Sequence, residues 1–364
     1  MLFRSDDVVE AMTDVVEHDL EPWHPAAGRR TALVAAGLFL ALGAGALLVQ
    51  RGSDIAAAAT ALVAAALCAG AIVLSRAQGE HEAGIGVAWL GAGYAAVAGV
   101  MLVPDSEHWF ADPLAAAGAG ALLAGVVCLV GLGPGRTLAF PPLVVGALAV
   151  GVGLYVRSSP DGFAPAPLLT TVLALVVLAG SVFPWLALGA TTTRVDQLYS
   201  AADITADPDD IERDRVAADA RVAHEILLAI SGTVGLLLVL VAPLAVSLGV
   251  TGTLLAVDAC LIVVLRTRQY RTGSEVLLGL GSGVAGIAAT AVAVLALHPD
   301  WRPTLAVVLA VVGAVLLVAT LSPAAPSVRR GRLGDVLESV ALLTLLPLLV
   351  VATGLFDQVR DWIG

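Results

Sequence analysis

The sequence predicts an all-α membrane protein with about eleven transmembrane helices. Three observations predict this fold class. Of the 364 residues, 59% are hydrophobic and only 13% are charged, whereas about 25% charged residues is usual for a soluble protein. The mean hydropathy is +0.93. Apolar runs of about 20 residues, the length needed to cross the hydrocarbon core of a bilayer, recur along the whole chain.

The predicted spans follow one another through short connections. The longest apolar stretch surrounds Pro243 and covers about 40 residues, and a single helix of that size would be about 60 Å long. We therefore interpret it as a hairpin of two spans. In chain order the predicted spans are 31–49, 55–74, 85–103, 114–132, 138–156, 168–188, 226–243, 247–265, 276–297, 304–321 and 336–355.

The arginines predict the orientation of these spans. All 19 basic residues are arginines, and with a cytoplasmic N-terminus 15 of them fall in inside segments and 4 in outside segments. This asymmetry is what the positive-inside rule favours. We predict a multi-pass protein of the cytoplasmic membrane whose N-terminus lies inside and whose C-terminus lies outside. No cleavable signal peptide is expected, because the first apolar run begins near residue 31 and has the length of a full span.

The acidic residues are concentrated in two segments. Seven of the 30 lie within Met1–Glu21 and nine lie between Asp196 and Glu225. The net charge of −11 argues against nucleic-acid binding. The chain is thus predicted to divide into a cytoplasmic amphipathic linker (1–30), spans one to six (31–188), an acidic cytoplasmic helical loop (189–225) and spans seven to eleven (226–364).

The side-chain pattern predicts no catalytic, cofactor or metal site. The run Gly281–Gly286 spells G-x-G-x-x-G, but it lies inside a predicted span and follows no strand, so it does not indicate dinucleotide binding. Gly279 and Gly283 in the same stretch form a small-xxx-small face, which favours close packing of helices. The six histidines and three cysteines lack the spacing of metal ligands. We expect that the protein is not an enzyme.

Asp258 is the one carboxylate well inside a predicted span. An ionised group at that depth costs about 2.5–3.5 kcal/mol on insertion scales, so it is expected to face protein or water. Two interpretations stay open: a structural one, in which the group makes a hydrogen bond to a neighbouring helix or is a protonated carboxyl, and a direct role in a conduit. Two functions stay open with them: a subunit of a larger membrane machine, and a secondary transporter of a small molecule. The lack of a second charge at similar depth favours the subunit.

Polar stretches beside the spans carry a family resemblance. They are Val264-Leu-Arg-Thr-Arg-Gln-Tyr270, Arg332-Leu-Gly-Asp-Val-Leu-Glu338 leading into Leu345-Leu-Pro-Leu348, the end Gly354-Leu-Phe-Asp-Gln-Val-Arg360, and Phe183-Pro-Trp185 followed by Arg221-Val-Ala-His-Glu-Ile-Leu-Leu228. In order, spacing and span count, the chain resembles EccD, the eleven-span membrane subunit of type VII (ESX) secretion systems.

The resemblance implies a channel or scaffold subunit that encloses a vestibule and anchors partner subunits. Those partners would be EccB, EccE and the EccC ATPase, and the subunit would contact lipids and form a homodimer within the larger assembly. Energy would come from the partner ATPase, so no cofactor is expected here. Family members begin with a cytosolic ubiquitin-like domain, and the first 30 residues correspond only to the linker that follows it.

Arginines of the predicted cytoplasmic loops are candidate contacts to partner subunits or to anionic lipid. The alternative is that they only set the topology, since the positive-inside rule places arginines there in any case. The candidates are Arg266, Arg268, Arg329, Arg330 and Arg332.

Overall fold

The computed structural model describes residues 25–103, 108–159, 164–180, 213–270, 272–321 and 328–355. Within these ranges the chain forms eleven α-helices and no β-strand. The helices are α1 (Pro25–Val49), α2 (Asp54–Arg76), α3 (His81–Met101), α4 (Asp112–Gly131), α5 (Phe140–Ser158), α6 (Pro165–Ala179), α7 (Arg213–Ala245), α8 (Gly249–Arg266), α9 (Gly273–Leu297), α10 (Arg302–Leu321) and α11 (Val328–Ala352).

The predicted all-α polytopic membrane fold is confirmed. Nine stretches of the described chain are long and apolar enough to cross a membrane. One of them, Asp219–Gln269, contains α8 and the part of α7 from Asp219 onward, and α6 is a shorter apolar helix. The number of crossings, the orientation of the termini and the four-part division of the chain remain predictions. Residues 1–24 of the predicted amphipathic linker and residues 189–212 of the predicted acidic loop lie outside the described residues.

The long apolar stretch around Pro243 folds as a hairpin. Helix α7 continues two residues past Pro243, a short 3₁₀ turn covers Val246–Leu248, and Gly249 opens α8 with φ +81°. This positive φ is a conformation that glycine adopts without steric cost. The hydroxyl oxygens of Ser231 in α7 and Tyr270 after α8 are 3.5 Å apart, so the two helices run back along each other.

Helices α2 to α5 pack through small residues. At the α3–α4 crossing a Cβ atom on Gly99 would collide with the carbonyl of Ala116, and one on Gly120 would collide with that of Ala95. Backbones can come this close only where no side chain intervenes, and in lipid such van der Waals contact is a main source of helix association. The buried cluster of these helices is accordingly built mainly from alanine and cysteine.

Helices α5 to α8 and α11 surround a second core with larger side chains. Leu238 of α7, Ile262 of α8 and Leu345 of α11 are fully buried there. The two cores are joined where α7 packs against α5. This second core is therefore built from interdigitated aliphatic side chains.

Helices α1 and α10 lie at the periphery. No residue of the apolar stretches Thr31–Val49 and Pro299–Val318 is buried inside the chain. Helix α1 is held against α3 by a hydrogen bond that the Tyr94 hydroxyl donates to the Leu40 carbonyl, with an O···O distance of 2.8 Å. Helix α10 contacts mainly α9, near the turn that joins them. Both helices present apolar surface outward.

Arginine side chains donate to backbone carbonyls at helix carboxyl ends. Those carbonyls have no partner within their own helix, and a cation there also interacts favourably with the helix dipole. Examples are Arg51 with Val103 after α3, Arg76 with Gly131 of α4, Arg266 with Val177 of α6, and Arg302 with Leu295 of α9.

These contacts identify the two ends of the bundle. Helices α2, α4, α6 and α8 finish at the end that carries Arg76, Arg266 and Arg268, which we call the basic end. Helices α3, α5, α9 and α11 begin there. The opposite end carries the ion pair between Arg157 and Asp112, with an N···O distance of 3.0 Å.

The α3–α4 crossing makes a testable prediction. Gly99→Ala should lower the free energy of unfolding by about 1–3 kcal/mol, because the added methyl overpacks the backbone contact. Gly93→Ala on the same helix is the matched control, since a Cβ there meets no atom within 4 Å. Thermal unfolding of both variants in the same detergent measures the difference. Equal stability of the two variants would contradict the close crossing.

Candidate functional site

The candidate site is a polar cluster at the basic end, where α6, α8 and α11 meet. Arg266, the last residue of α8, is only 5% exposed. Its Nη1 and Nη2 atoms both donate to the Val177 carbonyl, at N···O distances of 3.3 and 3.2 Å. Its Nε atom lies 3.8 Å from Oε1 of Glu338 in α11. One guanidinium therefore joins three helices.

The end of α6 is shaped to receive this guanidinium. Helix α6 finishes at Ala179, and a Cβ atom on the next residue, Gly180, would collide with Nη1 of Arg266. Glycine at this position leaves space for the cation beside the last helical carbonyls. The arrangement satisfies the Val177 carbonyl and places a positive charge at the negative end of the α6 dipole.

The residues after Arg266 extend the cluster to α11. Nη2 of Arg268 lies 3.1 Å from Oδ1 of Asp335, and its Nη1 donates to the Gly331 carbonyl at 3.0 Å. Nε2 of Gln269 lies 3.1 and 3.0 Å from the two carboxylate oxygens of Glu338, which is 7% exposed. Buried charged groups persist in proteins when they are paired and hydrogen-bonded, and this carboxylate has both kinds of contact.

The arginines predicted to contact partners or lipid differ in their environment in the structure. Arg266 and Arg268 bond within the chain, and the burial of Arg266 indicates an internal role for that residue. Arg332 lies on an exposed part of α11. The side chains of Arg329 and Arg330 lie outside the described residues. Contacts between these arginines and a partner or lipid remain a prediction.

The other predicted residues all lie at contacts with α8. Asp258, near the middle of α8, accepts a hydrogen bond from Thr344 of α11 with an O···O distance of 3.2 Å. Gly279 and Gly283 of α9 face the end of α8, where a Cβ atom on Gly279 would lie 2.7 Å from a methyl of Thr267 and one on Gly283 would collide with Val264. These residues join α8 to two of its neighbours, α9 and α11.

A second polar group at the basic end was missed by sequence reasoning. Nδ1 of His224 in α7 lies 2.7 Å from Oε1 of Glu275 in α9, and its Nε2 lies 3.3 Å from the Ser274 hydroxyl. The hydroxyl of Thr137 donates to Glu225 at 2.9 Å. The signal for Glu275 was the Thr272-x-x-Glu275 pattern before an apolar run, because the Thr272 hydroxyl caps the start of α9 and accepts from the Glu275 amide.

Comparison with known proteins decides the family. A family model described as the EccD-like transmembrane domain matches residues 28–362. The chain belongs to the EccD family. The resemblance stated from the polar stretches is thereby confirmed, and the chain is a multi-pass membrane protein. Membership in the EccD family makes it a membrane component of a type VII secretion system.

Solved structures share this EccD fold. A chain in the structure of protomer 1 of the ESX-3 core complex matches with a TM-score of 0.64 and 19% sequence identity, over 98% of this chain and 82% of that chain. A chain of the MycP5-free ESX-5 inner membrane complex, State II, matches with a TM-score of 0.55 and 18% identity, over 88% and 77% of the two chains. Comparison with curated proteins gives no match.

The stretches that carried the EccD resemblance meet in space. Val264–Tyr270 supplies Arg266, Arg268 and Gln269, while Arg332–Glu338 supplies the acidic partners of these side chains. Arg221–Leu228 supplies His224 at the neighbouring contact between α7 and α9. Three separate EccD motifs thus form the polar contacts of one end of the bundle.

The pair of Arg266 and Glu338 makes a second prediction. Arg266→Met should destabilise the protein by about 1–3 kcal/mol, because the Val177 carbonyl loses its donor and the buried carboxylate of Glu338 keeps only Arg268, at an N···O distance of 3.8 Å, and Gln269 as partners. The double variant Arg266→Met, Glu338→Leu should recover part of this loss, since it removes both charges. Thermal unfolding in detergent of the parent chain, the two single variants Arg266→Met and Glu338→Leu, and the double variant completes the double-mutant cycle.

Arg332→Gln is the control for that cycle, because this arginine is exposed. Its effect should stay within about 0.5 kcal/mol. Additive losses at residues 266 and 338, with no coupling between them, would show that the two side chains do not interact.

Proposed function

We propose that this chain is a scaffold subunit that holds partner subunits of a type VII secretion complex together in the membrane. The observation that carries the proposal is the outward-facing surface of α1 and α10, which have no buried residue in their apolar stretches. Apolar helices that do not pack inside their own chain contact lipid or other membrane subunits. Family membership supplies the kind of assembly, and likeness to chains of two ESX membrane complexes supports it.

The polar contacts inside the described part of the bundle fit a scaffold. The polar groups described at the basic end bond to one another, and Asp258 bonds to Thr344. The cavity beside Arg266 has a volume of about 20 Å³, room for one water molecule. In this proposal a passage for a protein substrate forms between subunits, around a vestibule that two copies of the chain would enclose.

The exposed part of the basic end is the proposed contact surface for cytosolic partners or anionic lipid. Arg332 lies there on the surface of α11, and the side chain of Asp335 is 75% exposed. Arg329 and Arg330 precede Arg332 in sequence and are proposed to take part. The partners proposed from the family are EccB, EccE and the EccC ATPase.

Isolation of the membrane complex tests this function. With a tag on the full chain and mild extraction from its native membrane, we expect a complex of high mass that contains an FtsK-like ATPase. Arg332→Glu should reduce the recovered ATPase several-fold, while Arg332→Lys, which keeps the charge, should retain it. A chain that is always recovered alone, from a host whose secretion system is intact, would contradict the proposal.

A secondary transporter is the second candidate, and Asp258 is the observation that favours it. A carboxylate in the middle of a membrane helix is a frequent part of proton and ion pathways. Its bond to Thr344 also fits a purely structural role. A substitution at this residue distinguishes the two functions.

Asp258→Asn removes the charge and keeps an oxygen that accepts from Thr344. As a scaffold, the variant should assemble and support secretion at a level within about twofold of the parent chain, because a neutral amide preserves the contact. As an ion-coupled transporter, the parent chain alone in proteoliposomes should accumulate a substrate and the variant should not. Secretion by the variant together with absence of uptake by the parent would exclude the transporter.

A further inference from the structure

Asp258 and Thr344 form a polar pair on the outer side of the bundle, where α8 meets α11. Oδ2 of Asp258 accepts from the Thr344 hydroxyl at an O···O distance of 3.2 Å. The same hydroxyl lies 3.0 Å from the carbonyls of Val340 and Ala341, and it has only one proton to donate. Thr344 is exposed, Asp258 is only partly buried, and the described chain donates no hydrogen bond to the second carboxyl oxygen, Oδ1. The chain therefore satisfies this carboxyl group incompletely.

The surface on either side of the pair is apolar. Exposed aliphatic side chains follow α8 and α11 at helical spacing toward both ends of the bundle. They are Val250, Leu254 and Leu261 of α8 and Leu337, Val340 and Val351 of α11. Helix α11 packs mainly against α6 and α8, so the described helices leave this surface uncovered. We call it the α8–α11 face.

The depth of Asp258 means that lipid alone does not satisfy it. It is the tenth of the 18 residues of α8, which places it about 12 Å from either end of the helix. Acyl chains offer no hydrogen-bond donor at that depth. Carboxyl groups within membrane helices therefore face protein or water, and usually have a partner.

We propose that the α8–α11 face binds a transmembrane helix of another subunit, which donates a hydrogen bond to Asp258 from a neutral polar side chain near its middle. The apolar side chains above and below Asp258 pack against the rest of that helix. This inference rests on the proposed scaffold function and adds to it a contact inside the membrane, apart from the exposed part of the basic end.

Two arguments fix the chemistry of this partner. Serine, threonine, asparagine and glutamine are ordinary hydrogen-bonding residues between membrane helices, whereas a lysine or arginine at mid-depth is costly to insert. A second copy of this chain is disfavoured, because a twofold contact places the same patch on both sides. Two Asp258 carboxyl groups would then approach each other, and like charges repel.

The first experiment is photo-crosslinking in membranes of the native host, with a photoreactive amino acid in place of Leu254. This side chain is exposed on the α8–α11 face, one turn from Asp258. We expect a cross-link to a membrane helix of a different subunit that has a serine, threonine, asparagine or glutamine within about one turn of the linked residue. Cross-links only to lipid, to a second copy or to another part of the same chain would overturn the proposal.

The second experiment repeats the cross-link in three variants. Asp258→Leu removes the acceptor and should lower the yield about threefold or more. Asp258→Asn keeps an acceptor oxygen and should stay within about twofold of the parent chain. Thr344→Val is the matched control, because it removes the donor within the chain and leaves both oxygens of Asp258 for the partner.

The three variants distinguish a partner contact from a purely internal one. Equal losses in Asp258→Leu and Thr344→Val would show that the pair only joins α8 to α11, and would overturn the proposal. A loss in Asp258→Asn as large as in Asp258→Leu would overturn the neutral donor in favour of a cation. The cross-link in the parent chain and the Thr344→Val result test the proposal even if Asp258→Leu does not fold.

Failure of this inference is distinguishable from failure of the scaffold function. A complex recovered intact, with no cross-link from residue 254 to another subunit, would overturn the inference and leave the scaffold function standing. A chain that is always recovered alone would contradict both.

Discussion

The buried guanidinium of Arg266 is the constraint on which the second half of the bundle depends. Removing such an ion from water costs several kcal/mol, and only close partners offset this cost. Here the partners come from two other helices: the Val177 carbonyl of α6 and the carboxylate of Glu338 in α11. Helix α6 therefore has to end beside α8, Gly180 has to lack a side chain, and α11 has to bring its acidic residue to the same depth.

The two halves of the bundle associate by different physical means. In lipid, helices gain little from burying apolar surface, because the lipid tails are equally apolar. Helices α2 to α5 associate instead through close packing of glycine and alanine, so that backbones touch at pairs such as Gly99 and Ala116. The second half combines packed aliphatic side chains with polar links, among them Thr344 to Asp258 and Gln269 to Glu338. Helices α1 and α10 make few contacts of either kind with the rest of the chain. Their apolar surfaces therefore face outward.

Sequence reasoning predicted the helices better than the contacts between them. Apolar runs locate the helices because each span must match the bilayer thickness, and the hairpin at Pro243 follows from length alone. The pairing of Arg268 with Asp335 could not be predicted, since it joins residues 67 positions apart and requires the topology. The face formed by Gly279 and Gly283 indicated close packing, but the sequence does not specify which helix packs there. The contact of His224 with Glu275 could not be predicted for the same reason, because it crosses a helix interface.

The contacts at the basic end also explain why several weak sequence patterns together indicate this family. Val264–Tyr270 and Arg332–Glu338 are short and unremarkable separately, yet in the folded chain they are the two sides of one interface. Each stretch sets which residues the other must contain, because a buried carboxylate without its cation is strongly destabilising. The residues of these two stretches therefore serve the fold, because their buried side chains bond to one another. A surface for partner subunits has to come from residues that the fold leaves exposed, and on α11 Arg332 is such a residue.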